Sequence, residues 1–175
     1  MDDDAIEAAE ALAGSTGAAA LLDGLDAIIK EPDEEQAEAV LDALLRMSSD
    51  IKSPEVLTTL ASRLTTLGGC LSTFMDAAVV VEVLFAVLNK LDLKGFGTRD
   101  NAENVLKAMD SHSDGEETLV EYGCLVIAKL AATSEEGKGH LIELDAGGML
   151  DRAEGIITNE RNKKYVTEAR KVLST

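Results

Sequence analysis

Residues 121–132 read EYGCLVIAKLAA, and apolar side chains recur in this run at intervals of three and four. Such intervals place the apolar groups on one face of an α-helix, which has about 3.6 residues per turn. Extended to the neighbouring residues, the pattern predicts a helix over 116–132. The rest of the chain is rich in Ala, Leu, Glu and Val and has few stretches of strand-like alternation. The sequence therefore predicts an all-α protein.

Local start and stop signals divide this pattern into ten helices. Ser53-Pro54-Glu55 is typical of a helix start, with an N-cap serine and proline at the first helical position. Thr73 and Thr98 are predicted to cap the helices that follow them, whereas Gly68-Gly69 and Gly147-Gly148 indicate breaks between helices. The predicted helices span 4–13, 17–30, 33–48, 54–67, 74–91, 99–110, 116–132, 136–145, 148–158 and 161–174.

The charge of the chain argues against one class of function. With 33 acidic and 16 basic residues the net charge is −17, and it is unevenly spread. The net charge, counted as basic minus acidic residues, is 2 − 14 = −12 over residues 1–50, 5 − 5 = 0 over residues 51–100 and 9 − 14 = −5 over residues 101–175. A nucleic-acid-binding domain needs clustered Lys and Arg, so no nucleic-acid partner is predicted. We interpret the acidic first third as a solvated face, with steering of a basic partner as the alternative.

The most apolar run is residues 74–91, which include FMDAAVVVEVLF. Asp76 and Glu82 interrupt it, and it falls short of the roughly 20 apolar residues of a membrane-spanning helix, so no membrane association is predicted. A helix that is apolar nearly all round is usually central and buried. The alternative is an exposed apolar strip that mediates self-association.

Catalytic and redox chemistry is not predicted. Cys70 and Cys124 lie in apolar helical runs, which indicates reduced core residues in a cytoplasmic protein. The acidic start, MDDD, is the reverse of a signal peptide. His112 and His140 belong to different segments, and Walker, HExxH and serine-elbow motifs are absent, so we predict neither an enzyme nor a cofactor.

The long helices recur at a nearly fixed interval. They begin near residues 33, 74, 116 and 161, which are 41, 42 and 45 residues apart. That spacing matches the roughly 40–47 residues of two- and three-helix solenoid repeats. Stacked repeats bury a continuous core and need few aromatic residues. The helix ends also share an apolar, variable, basic, apolar pattern, which reads LLRM at 44–47, LNKL at 88–91, IAKL at 127–130 and ARKV at 169–172.

Residues 121–132 resemble the third helix of an armadillo repeat. Residues 139–150, GHLIELDAGGML, resemble the short first helix, glycine pair and second helix of that family. The resemblance is clear over 99–174 and rests on spacing and apolar pattern over 1–98. It implies a right-handed α-solenoid, an armadillo-like superhelix of about four repeats forming one domain over 1–175. In such a superhelix the third helices line a concave binding groove.

The candidate binding residues are the basic positions near the ends of the four long helices. Many armadillo proteins carry asparagine there, whereas these positions are Arg46, Lys90, Lys129 and Lys171. Importin-type receptors pair that asparagine with tryptophan, which this chain lacks, so a nuclear-import receptor is not predicted. A ladder of one cation per repeat suits an acidic or phosphorylated extended segment of a protein partner. Alternatively, these cations only stabilise the helix macrodipoles.

The sequence therefore predicts a non-catalytic protein–protein interaction module, either an adaptor or scaffold or a subunit of a larger assembly. Some small armadillo proteins promote nucleotide exchange on Hsp70-type chaperones, and such a co-chaperone is the first alternative. An EF-hand-like calcium-binding protein is the second. Asp110, His112, Asp114, Gly115 and Glu121 occupy positions 1, 3, 5, 6 and 12 of that loop, although His112 offers nitrogen where oxygen is expected. Monomer, homodimer and complex subunit stay open.

Overall fold

The computed structural model describes residues 4, 6, 15–49 and 54–175, and these residues form ten α-helices, one 3-10 helix and no strand. The all-α prediction is confirmed. The predicted helix 4–13 lies, apart from two residues, outside the described residues, and so does Ser53. The helices are α1 (Ser15–Lys30), α2 (Glu34–Ser49), α3 (Pro54–Ala61), α4 (Leu64–Thr73), α5 (Ala78–Leu88), the 3-10 helix (Lys94–Phe96), α6 (Arg99–Ser111), α7 (Glu117–Thr133), α8 (Glu135–Glu143), α9 (Ala146–Ile156) and α10 (Lys163–Ser174).

Side-chain caps set the first turns of several helices. At α2, Asp33 Oδ1 accepts a hydrogen bond from the backbone N–H of Gln36 at 3.0 Å. At α6, Thr98 Oγ1 accepts from the N–H of Asn101 at 3.3 Å, which confirms the predicted cap. Each of these bonds satisfies a backbone donor that has no partner within its helix.

The helix predicted over 74–91 is present but shorter, and its predicted cap at Thr73 is wrong. Thr73 ends α4, and α5 begins only at Ala78 after Ala77, which makes no side-chain cap. The intervening turn is held by the backbone, because the N–H of Ala77 donates to the carbonyl of Phe74 at 2.9 Å. Phe74 itself is buried in this turn. A turn that buries the Phe74 ring therefore stands where the local pattern favours helix.

The predicted helix 54–67 is divided into α3 and α4 at Arg63. The guanidinium of Arg63 donates to Asp23 at 2.9 Å and to Asp26 at 2.5 Å, and both carboxylates belong to α1. The hydrogen bonds and charges of these carboxylates raise the pKa of Arg63. An ion pair between residues about 40 positions apart thus accompanies a break that no local signal indicates.

Neither glycine pair ends a helix as predicted. Gly68 and Gly69 lie inside α4, where a Cβ added at Gly69 would come within 3.6 Å of Ile29 on α1. Gly147 and Gly148 lie in the first turn of α9. The N-cap of that helix is Asp145, whose backbone has a left-handed φ of 59° and whose side chain accepts from the N–H of Gly148 at 3.1 Å. The first glycine pair therefore continues a helix, and the second helps to begin one.

Contacts between Cα atoms divide the chain into two compact units, Met1–Leu91 and Asp92–Thr175, here called the first and second units. In the first unit α1 packs against α2, α3 and α4, and α5 packs against α2 and α4. In α5 the side chains of Val81, Leu84, Phe85, Val87 and Leu88 are fully buried, which confirms that this apolar helix is a core element.

The core of the second unit forms around α7. This helix packs against α6, α8, α9, α10 and the 3-10 helix. Its glycine, Gly123, allows close approach of α6, because a Cβ there would lie 2.5 Å from Met109 Sδ. On the surface, Arg170 of α10 bridges Asp151 at 2.6 Å and Glu154 at 2.8 Å, two carboxylates of α9. The prediction of one repeat domain over 1–175 stays a prediction.

Each unit contains a pair of helices, α2 with α5 and α7 with α10, that pack against each other and begin at the same end. In the first unit, residues from the first turns of α2 and α5 line one recess. In the second, Glu121 near the start of α7 accepts a hydrogen bond at 2.7 Å from the side-chain amide of Asn162, the N-cap of α10. The starts of α2 and α5 are 78 − 34 = 44 residues apart, and those of α7 and α10 are 163 − 117 = 46 residues apart.

Candidate functional site

Arg46 and Lys90, the two predicted site residues of the first unit, lie at the C-terminal ends of α2 and α5. Arg46 is in the last turn of α2, and Lys90 follows α5 by two residues. The two cations are 90 − 46 = 44 residues apart, which equals the offset between the starts of α2 and α5. Since these helices pack together and begin at the same end, the two cations lie at one end of the pair.

Lys129 and Lys171, the predicted residues of the second unit, occupy corresponding places on α7 and α10. Their separation is 171 − 129 = 42 residues. The hydrogen bond between Glu121 and Asn162 joins residues that are 41 positions apart in sequence. Because the two lysines are 42 positions apart, they lie at nearly the same level along the paired helices. Lys129 is half-buried, whereas Lys171 is exposed.

The basic side chains differ in how firmly they are held. Arg46 Nη1 lies 3.4 Å from Asp42 Oδ2 in an exposed pair one helical turn apart, a kind of pair worth about 0.3–0.5 kcal/mol. Arg46 and Lys129 also take part in other non-covalent interactions. Next to Lys171, Arg170 is committed to two carboxylates of α9. A carboxylate or phosphate of a partner would therefore compete with Asp42 for the Arg46 guanidinium.

A second surface feature, which the sequence analysis missed, is a recess of about 290 Å³ between the starts of α2 and α5. Its apolar part is formed by residues 77–80, and the side chain of Val79 is 54% exposed. Glu34, Glu35 and Glu38 of α2 form its rim. The sequence does show acidic residues in the first turn of α2 and valines in the first turn of α5, which are the residues that line this recess.

A wider recess of about 750 Å³ lies against the turn between α1 and α2. Its lining includes Ile28 and Pro32 together with Asp33 and Gln36. Asp33 accepts hydrogen bonds from both the backbone and the side chain of Gln36, at 3.0 and 3.1 Å. These hydrogen bonds cap the N-terminus of α2 and engage the polar groups of both residues. We therefore assign no ligand to this recess.

Two residues of the EF-hand alternative, Asp110 and Glu121, are paired with side chains outside the loop. Asp110 lies 3.1 Å from the guanidinium of Arg152, and Glu121 accepts from Asn162. Across the described residues, no three His, Cys, Asp or Glu side chains come together as metal ligands. The geometry of this loop therefore gives the calcium hypothesis no support.

Glu117, in the same loop region, holds the turn between α9 and α10. Its carboxylate accepts from the N–H and the hydroxyl of Thr158, both at 2.8 Å, and from the N–H of Asn159 at 3.1 Å. These bonds, first of all the backbone bond from Asn159, lower the pKa of Glu117 below its ordinary value. The stabilisation is therefore present at neutral pH and is lost as the pH falls through the lowered pKa.

Replacing Glu117 by glutamine is expected to speed hydrogen exchange at the amides of Thr158 and Asn159 at neutral pH, because the charged acceptor is lost. In the wild-type chain the same amides should lose protection, relative to intrinsic exchange rates, as the pH falls below the ordinary range of glutamate. Glu116→Gln, a change at the exposed neighbouring glutamate, is the control and should leave both amides protected. Equal protection in Glu117→Gln and wild type would contradict this role.

The two cysteines are core residues, as predicted. Cys70 and Cys124 are buried, and burial raises the pKa of each thiol to about 12. At neutral pH both thiols are therefore protonated and are poor nucleophiles. His140 is half-buried on α8 between Glu136 at 3.6 Å and Glu143 at 3.9 Å, and it has no nucleophile beside it in these contacts.

No protein-family model matches the chain, and neither a curated protein nor a solved structure matches it. None of the helices that the structure describes has the length and apolar character needed to cross a lipid bilayer. The function is therefore inferred from the chemistry and placement of the described residues.

Proposed function

We propose that this chain is a non-catalytic protein–protein interaction module of armadillo-like helical repeats. It binds an acidic or phosphorylated extended segment of a partner protein. The positive charges come from Arg46 and Lys90 of the first unit and from Lys129 and Lys171 of the second, here together called the basic row. The co-chaperone hypothesis stays a prediction.

The observation that carries this proposal is the matched register of the two helix pairs. In each unit two packed helices begin at the same end, 44 residues apart for α2 and α5 and 46 for α7 and α10. The cations near their other ends are 44 residues apart in the first unit and 42 in the second. This is the arrangement expected of successive repeats, each contributing one long helix to a common face. Helix-end electrostatics alone explains a basic residue at each end, but it does not require the shared offset.

The spacing of packed helices suggests which segments would bind. Neighbouring helices are about 8–10 Å apart, so cations at equivalent positions are separated by a similar distance. A polyproline II segment rises about 3.1 Å per residue with three residues per turn, which repeats a side-chain direction about every 9 Å. Acidic or phosphorylated residues three positions apart would therefore meet adjacent cations.

The test is a pull-down from the native lysate with the full chain carrying Lys90→Glu and Lys171→Glu, two changes at exposed positions. We expect loss of at least about 90% of the bound partner, because each reversal replaces an attraction by a repulsion. Lys30→Glu is the matched control: Lys30 is also an exposed cation in the last turn of a helix, but it lies outside the row. It should leave binding within about twofold of wild type.

Two further comparisons make the result specific. Phosphatase treatment of the lysate separates phosphorylated from merely acidic segments, and a change from low to moderate salt should weaken either kind of binding. Circular dichroism must show native helix content in every variant. Equal retention of the partner by the double variant and the Lys30→Glu control would overturn the basic row as the binding site.

A further inference from the structure

The recess at the starts of α2 and α5 combines an exposed apolar side chain with concentrated negative charge. Val79 and Ile142 are the large apolar residues with high exposure among those the structure describes, at 54% and 55%. Val79 stands beside buried Val80 and is bordered by Glu34, Glu35 and Glu38. A volume of about 290 Å³ is at the small end of the range for small-molecule pockets, so the recess is suited to single side chains.

The carboxylates dominate the electrostatics of this recess. The N-terminal ends of α2 and α5 contribute about half a positive charge each, whereas the three glutamates contribute about three negative charges at neutral pH. The surrounding helices add to this, because residues 15–49 carry eight acids and two bases, a net of 2 − 8 = −6. An occupant with positive charge around its apolar contact is therefore favoured.

A second copy of this chain is a poor occupant. In a symmetric pair the same surface meets itself, so the three glutamates would face three glutamates. Like charges placed together across an interface cost free energy and suppress association. The recess therefore favours a different partner of opposite charge.

We propose that the recess formed by Val79 and residues 77–80 with Glu34, Glu35 and Glu38 binds a basic amphipathic segment of a partner protein. One apolar side chain of the segment packs on Val79, and flanking Lys or Arg side chains pair with the glutamates. This surface shares no residue with the basic row. Failure of either proposal therefore leaves the other standing.

The probe is a fluorescent helical peptide of about 14 residues, with Leu at intervals of three and four and Lys at the other positions. Its binding to the full chain is followed by fluorescence anisotropy. We expect Glu34→Gln/Glu35→Gln/Glu38→Gln to weaken binding at least about tenfold, and Val79→Ser to weaken it about five- to tenfold.

Two matched controls separate this recess from general attraction to an acidic protein. Ile142→Ser removes an equally exposed apolar side chain from α8. Glu135→Gln/Glu136→Gln removes two exposed acids from the first turn of the same helix. Each control should change the peptide affinity less than about twofold, and circular dichroism should show native helix content in all variants.

Three results would overturn the proposal. The first is peptide binding that survives both recess variants. The second is equal weakening by the recess variants and their controls, which would mean that the peptide responds only to overall charge. The third is a concentration-dependent dimer in sedimentation that Val79→Ser abolishes, which would assign the recess to a second copy of the chain.

Discussion

Replacing Phe85 by alanine is expected to destabilise the first unit by about 3–5 kcal/mol, the usual cost of emptying an aromatic core site. Phe85 is fully buried in α5, the apolar helix that packs against α2 and α4. The cost combines lost transfer free energy with the cavity that the neighbouring side chains fill only in part.

Urea unfolding followed by circular dichroism measures this loss, and hydrogen exchange at the amides of α2 and α5 locates it. Val79→Ala is the matched control, because it shortens an apolar side chain of the same helix that is 54% exposed. It should change the free energy of unfolding by less than about 0.5 kcal/mol. A loss below about 1.5 kcal/mol for Phe85→Ala would contradict the assignment of α5 to the core.

Replacing Gly97 by alanine is expected to destabilise the second unit by about 2–4 kcal/mol. A Cβ at Gly97 would lie 2.9 Å from Ser134 Cβ and 3.1 Å from the backbone nitrogen of Gly137, and it would collide with Ser134 Oγ. Overpacking of this kind costs about 1–3 kcal/mol. Moving Ser134 aside would also break its 2.9 Å cap to the N–H of Gly137, and a lost cap costs about 1 kcal/mol.

The backbone conformation of Gly97 does not itself require glycine. Its φ of −73° and ψ of 23° are open to alanine, so the expected cost comes from tertiary contact and not from conformational preference. Gly139→Ala in α8 is the control, because a Cβ there meets nothing within 4 Å. That change should stabilise the chain by about 0.5–1 kcal/mol through helix propensity. If Gly97→Ala and Gly139→Ala changed the free energy of unfolding in urea in the same direction, the close packing at Gly97 would be refuted.

Local chemistry was enough to predict most of the helices. Apolar periodicity predicted α2, α6, α7 and α10 to within about two residues, and the cap at Thr98 is present. The predictions failed where a distant residue decides the local structure. Arg63 separates α3 from α4 while paired with carboxylates about 40 residues away, and Phe74 lies buried in the turn before α5.

The candidate sites divide in the same way. The four basic candidate residues could be predicted because a repeat interval and a shared helix-end pattern are visible in the sequence alone. They are Arg46, Lys90, Lys129 and Lys171. The acidic recess was missed because α5 is apolar nearly all round in sequence, so periodicity could not show which valine remains exposed. The exposure of Val79 depends on how α5 lies against α2, whose glutamates are about 40 residues earlier in the chain.

The sequence by itself determined that this protein is helical, and it predicted long helices that begin 41–45 residues apart with a basic residue near the end of each. These are local properties, set by backbone propensity and by side chains three or four positions apart. Only the tertiary structure decided where helices break, which glycines pack instead of ending a helix, and which apolar residue faces solvent beside three carboxylates. Those outcomes depend on contacts between residues far apart in the chain, which no local pattern encodes.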